Sequence, residues 1–399
     1  MNIVKRILKA NRGRETQRLA LKYKAMRASR FAFFRGTCHL FYDRLHEAAF
    51  DTRAPLVWAC GDAHLENFGS YTGDNRLVYF DLNDFDEAAL APATWELVRL
   101  LASVHTGFKE QGASQAEIHG LVERMIASYG TALLAGKAGW IERDVARGVV
   151  RELLDKLRER KRSEFLAART RLQRRQRQLL IDGVRTLPIS DADRSAVQHL
   201  MKAFAAAQPN APFYRVLDVA RRIAGTGSLG VPRYVILVEG RGSPDNNYLF
   251  DLKQSDSSSL GRCFARLQPH WNNEAQRITT LQGRLQAVTA AFLHPVMLDG
   301  RPFVLRALQP SEDRLPLLRL REHAGMPECA MDVMARCLAW AQLRSAGRQG
   351  SANVDALLAF AAKKRWRGAA AQMAAAMAAQ VSLDWETYCG AFDAGQVAA

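Results

Sequence analysis

Asp62 and Asn67 stand five residues apart in ACGDAHLENFG (59–69), just past the apolar run PLVWAC. A carboxylate followed by an amide at that spacing on a loop suits phosphoryl transfer. The carboxylate takes the proton of an acceptor hydroxyl, and the amide oxygen ligates Mg²⁺ further round the loop. Mg²⁺ prefers hard oxygen ligands, so a second carboxylate has to reach it from a neighbouring strand end. NDFDEA (83–88) supplies Asp84 and Asp86 directly after RLVYFDL, with Asp81 a weaker rival three residues before Asp84. His64 reads as a structural residue bonded within its loop. Arg35, in FFRGT, suits an acceptor, a phosphate or an acidic loop equally well.

Taken together, CGDAHLEN and NDFDEAALAPATWEL resemble the protein-kinase-like superfamily, in particular its aminoglycoside- and choline-kinase branch. That branch carries HGDxHxxN, a hairpin, and then an aspartate in a short [IV]DF[DE] run. Asp84 follows Asn67 by seventeen residues, a hairpin's length. The resemblance implies that Glu96, twelve residues beyond Asp84, anchors the catalytic loop from a helix. Glu96 replaces the branch's usual Asp, and Cys60 its usual His.

A kinase places its glycine-rich loop and lysine ahead of the catalytic loop, yet only about 60 residues precede Cys60, and these read as helices. Downstream, GTGSLG (225–230) is a full GxGxxG flanked by candidate strands. A dinucleotide fingerprint would be followed by a helix, whereas Pro232 and RYVILVEG continue as a strand, which favours a hairpin over nucleotide phosphates. The resemblance then implies that Gly225, Gly227, Ser228 and Gly230 cover the phosphates. It implies further that Lys253 in YLFDLKQS contacts the α/β-phosphates and that Glu274, the sole carboxylate between Asp256 and Asp299, positions that lysine. RPFVLRALQPSED resembles the last strand and hinge, with adenine bonding to backbone near Leu308 to Pro310.

The parts stand in rotated order, which describes a circular permutation. This is tolerable where the old termini lie close together at the surface. The arrangement is also similar to a bacterial family catalogued as domain of unknown function 2252. That similarity rests on FAFFRGTCHLFYDRL, CGDAHLENFG, LNDFDEAALAPATWELVRLLAS, ARRIAGTGSLGVPRYVILVEG and the LRALQPSEDR region. The expectation is an α+β, two-lobed, circularly permuted kinase-like fold. Residues 1–135 would carry the catalytic and metal loops in a mostly helical lobe, and 136–205 a charged linker or insertion. Residues 206–315 would form the strand-rich nucleotide lobe, and 316–399 the helical remainder. The implied activity is an ATP- and Mg²⁺-dependent phosphotransferase with Asp62 catalytic, Asn67, Asp84 and Asp86 at the metal, and an unidentified hydroxyl acceptor. A nucleotide-binding pseudokinase, a nucleotidyltransferase and an RNA-binding protein are the alternatives.

Other chemistries are less well supplied. Asp-x-His opens many metallophosphoesterase sites, but those need a downstream GNH[ED] and further histidines. Asp62, His64 and Asn67 could simply cap a turn, as Asx residues often do; the second acidic loop, the glycine loop and Lys253 would then be coincidental.

The remaining sequence sets the elements that must hold these residues. The 399-residue chain, 48% hydrophobic and 24% charged, has the composition of a globular protein with room for two lobes. No apolar run suggests a membrane span, and the N-terminus lacks the apolar core of a secretory signal. Six cysteines without a CxxC pair and nine histidines without paired spacing fit a reduced cytoplasmic protein and argue against zinc. Part of the net charge of +16 is local, with nine basic and two acidic residues in 158–177. That stretch reads as a charged helix. Clustered Arg and Lys can neutralise nucleic-acid phosphates, but no aromatic side chains interleave them. Residues 14–50 read as helices, PLVWAC and RLVYFDL as strands, and 95–135 as buried helices. Asp182-Gly183 reads as a tight hairpin, and 323–395 as helices.

Overall fold

A computed structural model describes residues 2–51, 53–310, 313–321 and 325–398. Helices α1 (Ile3–Ala10), α2 (Thr16–Ala28), α3 (Arg30–Gly36) and α4 (Cys38–Glu47) open the chain. Four short strands follow: β1 (Leu56–Ala59), β2 (Phe68–Thr72), β3 (Val78–Leu82) and β4 (Ala89–Pro92). Next come α5 (Ala93–Glu110) and α6 (Gln115–Leu134). The whole is an α+β fold in which helix dominates.

The short strands pair in a way that brings two loops side by side. β1 runs antiparallel to β4 with Ala59 opposite Ala89, and β2 runs antiparallel to β3 with Phe68 opposite Leu82. The loop from β1 to β2 and the loop from β3 to β4 are therefore clamped between the same two ladders. α5 backs them. Of its eighteen residues, Ala93 through Phe108 are all buried, as in a helix packed on every side.

The chain continues through β5 (Ile141–Glu142), α7 (Gly148–Glu159), α8 (Arg162–Ala167), β6 (Thr170–Gln173), β7 (Gln176–Leu179), β8 (Thr186–Leu187) and α9 (Asp191–Ala206). The basic stretch 158–177 is thus not one helix. α7 and α8 end, and a β6–β7 hairpin turns through Arg174 and Arg175, both with positive φ. At Asp182-Gly183 the chain does turn: the Asp182 carboxylate accepts from the Val184, Arg185 and Thr186 N–H groups. The strands paired in a hairpin are nevertheless β6 and β7.

A second layer is the six-stranded antiparallel sheet. It takes β9 (Val216–Arg222), β10 (Arg233–Val238) and β11 (Tyr248–Gln254), then, beyond α10 (Ser259–Cys263) and α11 (Glu274–Leu285), β12 (His294–Leu298) and β13 (Arg301–Ala307). Its order is β12-β13-β11-β10-β9-β8. The sheet has its own core. Phe250, Leu252, Ile236 and Phe303 pack with Val197 and Met201 of α9, while Leu249, Val235 and Leu237 pack with Leu166 and Leu179. Helices α12 (Met326–Arg344), α13 (Val354–Ala362) and α14 (Arg365–Asp393) join the larger core built around α5. No helix is long and apolar enough to cross a membrane among the described residues.

Candidate functional site

α5 fixes the loop after β1 from one face, through residues at i, i+3 and i+7. The Glu96 carboxylate accepts from the N–H groups of Cys60 (2.5 Å) and Gly61 (3.3 Å). Arg99 binds Asp62 Oδ1 at 2.5 Å, and Ser103 Oγ accepts from Leu65 N–H at 3.2 Å. The Arg99 guanidinium is fully buried over the rings of Phe34 (4.3 Å) and Phe41 (4.9 Å). Burial opposes its charge, but Asp62 together with Cys38 and Tyr42 outweighs this and raises its pKa. Burial likewise raises the Glu96 carboxyl, opposed by the bonds from Cys60 and Gln342. Gly61 has φ +81°, and a Cβ there would collide with the Glu87 backbone carbonyl, so the two loops touch where only glycine fits.

Asn67 bolts the loops together. Its Nδ2 donates to the carbonyls of Asp62 (2.9 Å) and Asp84 (3.2 Å), and its Oδ1 accepts the Asp84 N–H (2.8 Å). One Oδ1 lone pair is thus engaged within the protein, and a second remains. His64 Nδ1 accepts from Glu66 N–H, which fits the structural role read for it. Burial holds the ring well below its ordinary pKa, with Arg35 and Arg99 adding to the effect. Arg35 pairs with Glu66.

Lys253 reaches this acidic loop from the sheet. Alternation along β11 puts Leu249, Asp251 and Lys253 on one face, apolar at one end and charged at the other. Lys253 is buried, not solvent-facing. Its Nζ pairs with Asp86 and lies 3.9 Å from Asp84 Oδ1. Burial would raise the Asp84 carboxyl, but Lys253, Arg314, Arg306 and Arg233 together hold it down to about 2. Asp86 goes the other way, raised by burial and by the neighbouring Asp84 charge. Behind the lysine, the wholly buried Asp251 gathers Arg233 (2.6 Å), Arg222 (2.9 Å) and Arg306 (3.5 Å), which leaves a net positive base under the site.

Three expectations need correction. Glu274 does not pair with Lys253. It sits at the first turn of α11 and binds Arg277 at 2.5 Å, and Arg277 in turn supports the acidic loop through the carbonyls of Ala88 (2.5 Å) and Asp86 (2.7 Å). Asp81 is no rival ligand. It is buried, bound to Arg344 at 2.8 Å and to the Leu82 and Ala287 N–H groups. Nor does the Leu308–Pro310 strip offer open hinge groups at its start. Leu308 N–H donates to Leu249 C=O, and Gln309 C=O accepts from Arg222. Ser311 and Glu312 of the same segment lie outside the described residues.

The glycine loop between β9 and β10 curls over the same space, with Gly225 at φ +73° and Gly230 at φ +87°. The Gly227 carbonyl accepts from Arg14 (2.7 Å) and Lys22 (3.0 Å), the Leu229 carbonyl from Arg14 (3.0 Å), and the Gly230 carbonyl from Glu15 N–H (2.8 Å). Among the described residues, no backbone N–H from Ala224 to Gly230 has a partner. A cavity of about 370 Å³ results, lined by Asp62, Asn67, Asp84, Asp86, Lys253 and the Gly225–Ser228 turn. Gly230 and Glu274 stay outside its lining.

Reading by residue type missed Arg99, Arg14 and Lys22. Arg99 carries a visible signal, since it lies three residues after Glu96 in an otherwise apolar run. The two N-terminal cations carry none, because the glycine-loop carbonyls they bind lie more than 200 positions away. Among the described residues no group of three or more His, Cys, Asp or Glu is arranged around a metal position. Two carboxylates and an amide oxygen nevertheless suit Mg²⁺, which commonly takes one or two carboxylates and completes its shell with water and substrate phosphate.

A family model described as "Uncharacterized protein conserved in bacteria (DUF2252)" matches residues 14–391. No curated protein matches the chain, and no solved structure does.

Proposed function

This chain belongs to the DUF2252 family, and from that premise we propose that it is an ATP- and Mg²⁺-dependent phosphotransferase on a circularly permuted kinase-like fold. One observation carries the reading. Asp62, Asn67, Asp84 and Asp86, all before residue 90, share one cavity with Lys253 and the glycine turn, about 160 residues later. Asp62 has Oδ1 engaged by Arg99 and keeps Oδ2 to orient an acceptor hydroxyl and take its proton. Asp84, held ionised by its basic neighbours, and Asp86 would hold Mg²⁺, with Asn67 keeping their loop in register and lending its second lone pair. Mg²⁺ would supply charge neutralisation on the phosphate oxygens. Lys253 would exchange part of its contact with Asp86 for the α/β-phosphates. The unpartnered amides of 224–230 would bond phosphate oxygens, as amides of glycine-rich turns do. Catalysis would come from positioning and charge stabilisation.

The test is a thermal-shift and ATP-turnover assay with Mg²⁺ on wild type, Asp84→Asn and Lys253→Ala. Wild type should gain several degrees with Mg·ATP, and both variants should lose most of that gain together with turnover. Absence of any Mg·ATP stabilisation in wild type rejects the reading. The Asp62–Arg99 ion pair favours a second reading, a nucleotide-binding protein without transfer. That reading requires stabilisation without turnover across a broad panel of acceptors.

A further inference from the structure

The N-terminal helices precede both acidic loops and Lys253 in the chain, yet they and the link between them supply two cations to the cavity wall. Lys22, on α2, is buried, and its ammonium donates to Asn11 Oδ1 (2.8 Å) and the Gly227 carbonyl (3.0 Å). An ammonium has three N–H groups, so one remains after these two bonds. Arg14, between α1 and α2, spends Nη1 on the Gly227 and Leu229 carbonyls. Among the described residues, neither cation has a carboxylate within ion-pair distance, and both line the cavity. Lys253 differs, because Asp86 and Asp84 already offset its charge.

Lys22 is buried and Arg14 half-buried, and a cation so placed with only neutral acceptors bears a desolvation cost, which an incoming anion would relieve. The same contacts fix the glycine loop. Trans peptide planarity points the N–H of each following residue opposite to the carbonyl that is held. Tying down Gly227 and Leu229 through their carbonyls therefore also sets the Ser228 and Gly230 amides.

We infer that Arg14 and Lys22 form a second cationic arm of the phosphate site, which holds the glycine loop in shape and gives its remaining N–H groups to the polyphosphate chain of the nucleotide. This rests on the phosphotransferase reading above and extends it, because it assigns phosphate binding to a part of the chain that a kinase lobe does not normally provide. Burial lowers both cations from their ordinary values, most strongly Lys22, where Arg14 adds to the effect and Glu87 and Asp62 oppose it. A bound polyphosphate would reverse that shift.

The experiment measures affinity for Mg·ATP, and for inorganic tripolyphosphate, by calorimetry on full-length wild type, Arg14→Ala, Arg14→Lys and Lys22→Met. Circular dichroism and thermal melts establish that each variant is folded. Arg14→Ala and Lys22→Met should weaken both ligands at least 10-fold, and Arg14→Lys should recover part of the loss. Turnover at saturating nucleotide should fall far less than affinity, so the effect appears in KM more than in kcat. Folded Arg14→Ala and Lys22→Met proteins that bind both ligands as wild type does would overturn the inference and leave the phosphotransferase reading standing. A wild type that binds neither ligand removes both.

Discussion

Among the described residues, the Glu96 carboxylate is the sole side-chain acceptor for two buried amides, those of Cys60 and Gly61. Glu96→Ala strands both, and each unsatisfied buried donor costs roughly 1–3 kcal/mol. Urea unfolding should show Glu96→Ala destabilised by about 3 kcal/mol and Glu96→Gln, which keeps an acceptor oxygen, by about 1 kcal/mol. Equal losses in the two variants would mean that charge, not the bond to the loop, is what matters at this position. Gly61→Ala meets a harder limit, since positive φ and the Glu87 carbonyl both refuse a Cβ. Its unfolding free energy should fall by about 3 kcal/mol, and a near-neutral value would contradict the close contact of the two loops.

Among the elements, those with a clean period were legible and the short ones were not. The runs 95–135 and 323–395 carry apolar residues at helical spacing, and helices occupy most of both. β1 and β3 are as short but sit in the apolar runs PLVWAC and RLVYFDL, whereas β2, β4 and β12, four or five residues long, show neither such a run nor alternation. β2 follows directly on the loop that carries Asn67, so chemistry hides the strand. The Asp62/Asn67 and Asp84/Asp86 loops were legible because a carboxylate and an amide at short spacing survive without any knowledge of packing. The partner of Lys253 was not: Glu274 is the sole carboxylate between Asp256 and Asp299, whereas the fold presents two upstream of the lysine. In the 158–177 stretch, arginine's high helix propensity was overridden by hairpin pairing. That hairpin places two arginines in the left-handed region, where Asn-Gly is the usual solution. The double substitution Arg174→Asn/Arg175→Gly should stabilise the protein by about 1 kcal/mol. Thermal melts would check it, and no gain would indicate that the arginines make compensating contacts.

For the molecule as a whole, the buried histidines set an acid limit. His39 lies against the cavity, and burial, aided by Lys22, Arg262 and Arg14, lowers it to about 3. Its folded value is thus below its unfolded value near 6.5. Below about pH 6.5 the unfolded chain takes up a proton that the folded chain refuses. Stability from this group is therefore complete above about pH 6.5 and lost as pH falls towards 3, at up to about 1.4 kcal/mol per pH unit. The raised carboxyls of Glu87 and Glu96 act in the opposite sense at the acid end, so the effect is best read as a difference. Between pH 6.5 and 4.5, His39→Gln should show a flatter decline in stability than wild type by urea titration. Parallel curves would place the acid sensitivity elsewhere.

The last long helix does more than fill the core. From α14, Trp385 Nε1 donates to the Met26 carbonyl, Tyr388 OH donates to the Tyr23 carbonyl, and Asp393 pairs with Arg27, so it grips the helix that carries Lys22. Lys22 in turn grips the glycine loop. During synthesis, Asp62, the acidic loop and Lys253 all leave the ribosome well before α14 does. A nascent chain therefore lacks these three supports of α2 until the last helix docks.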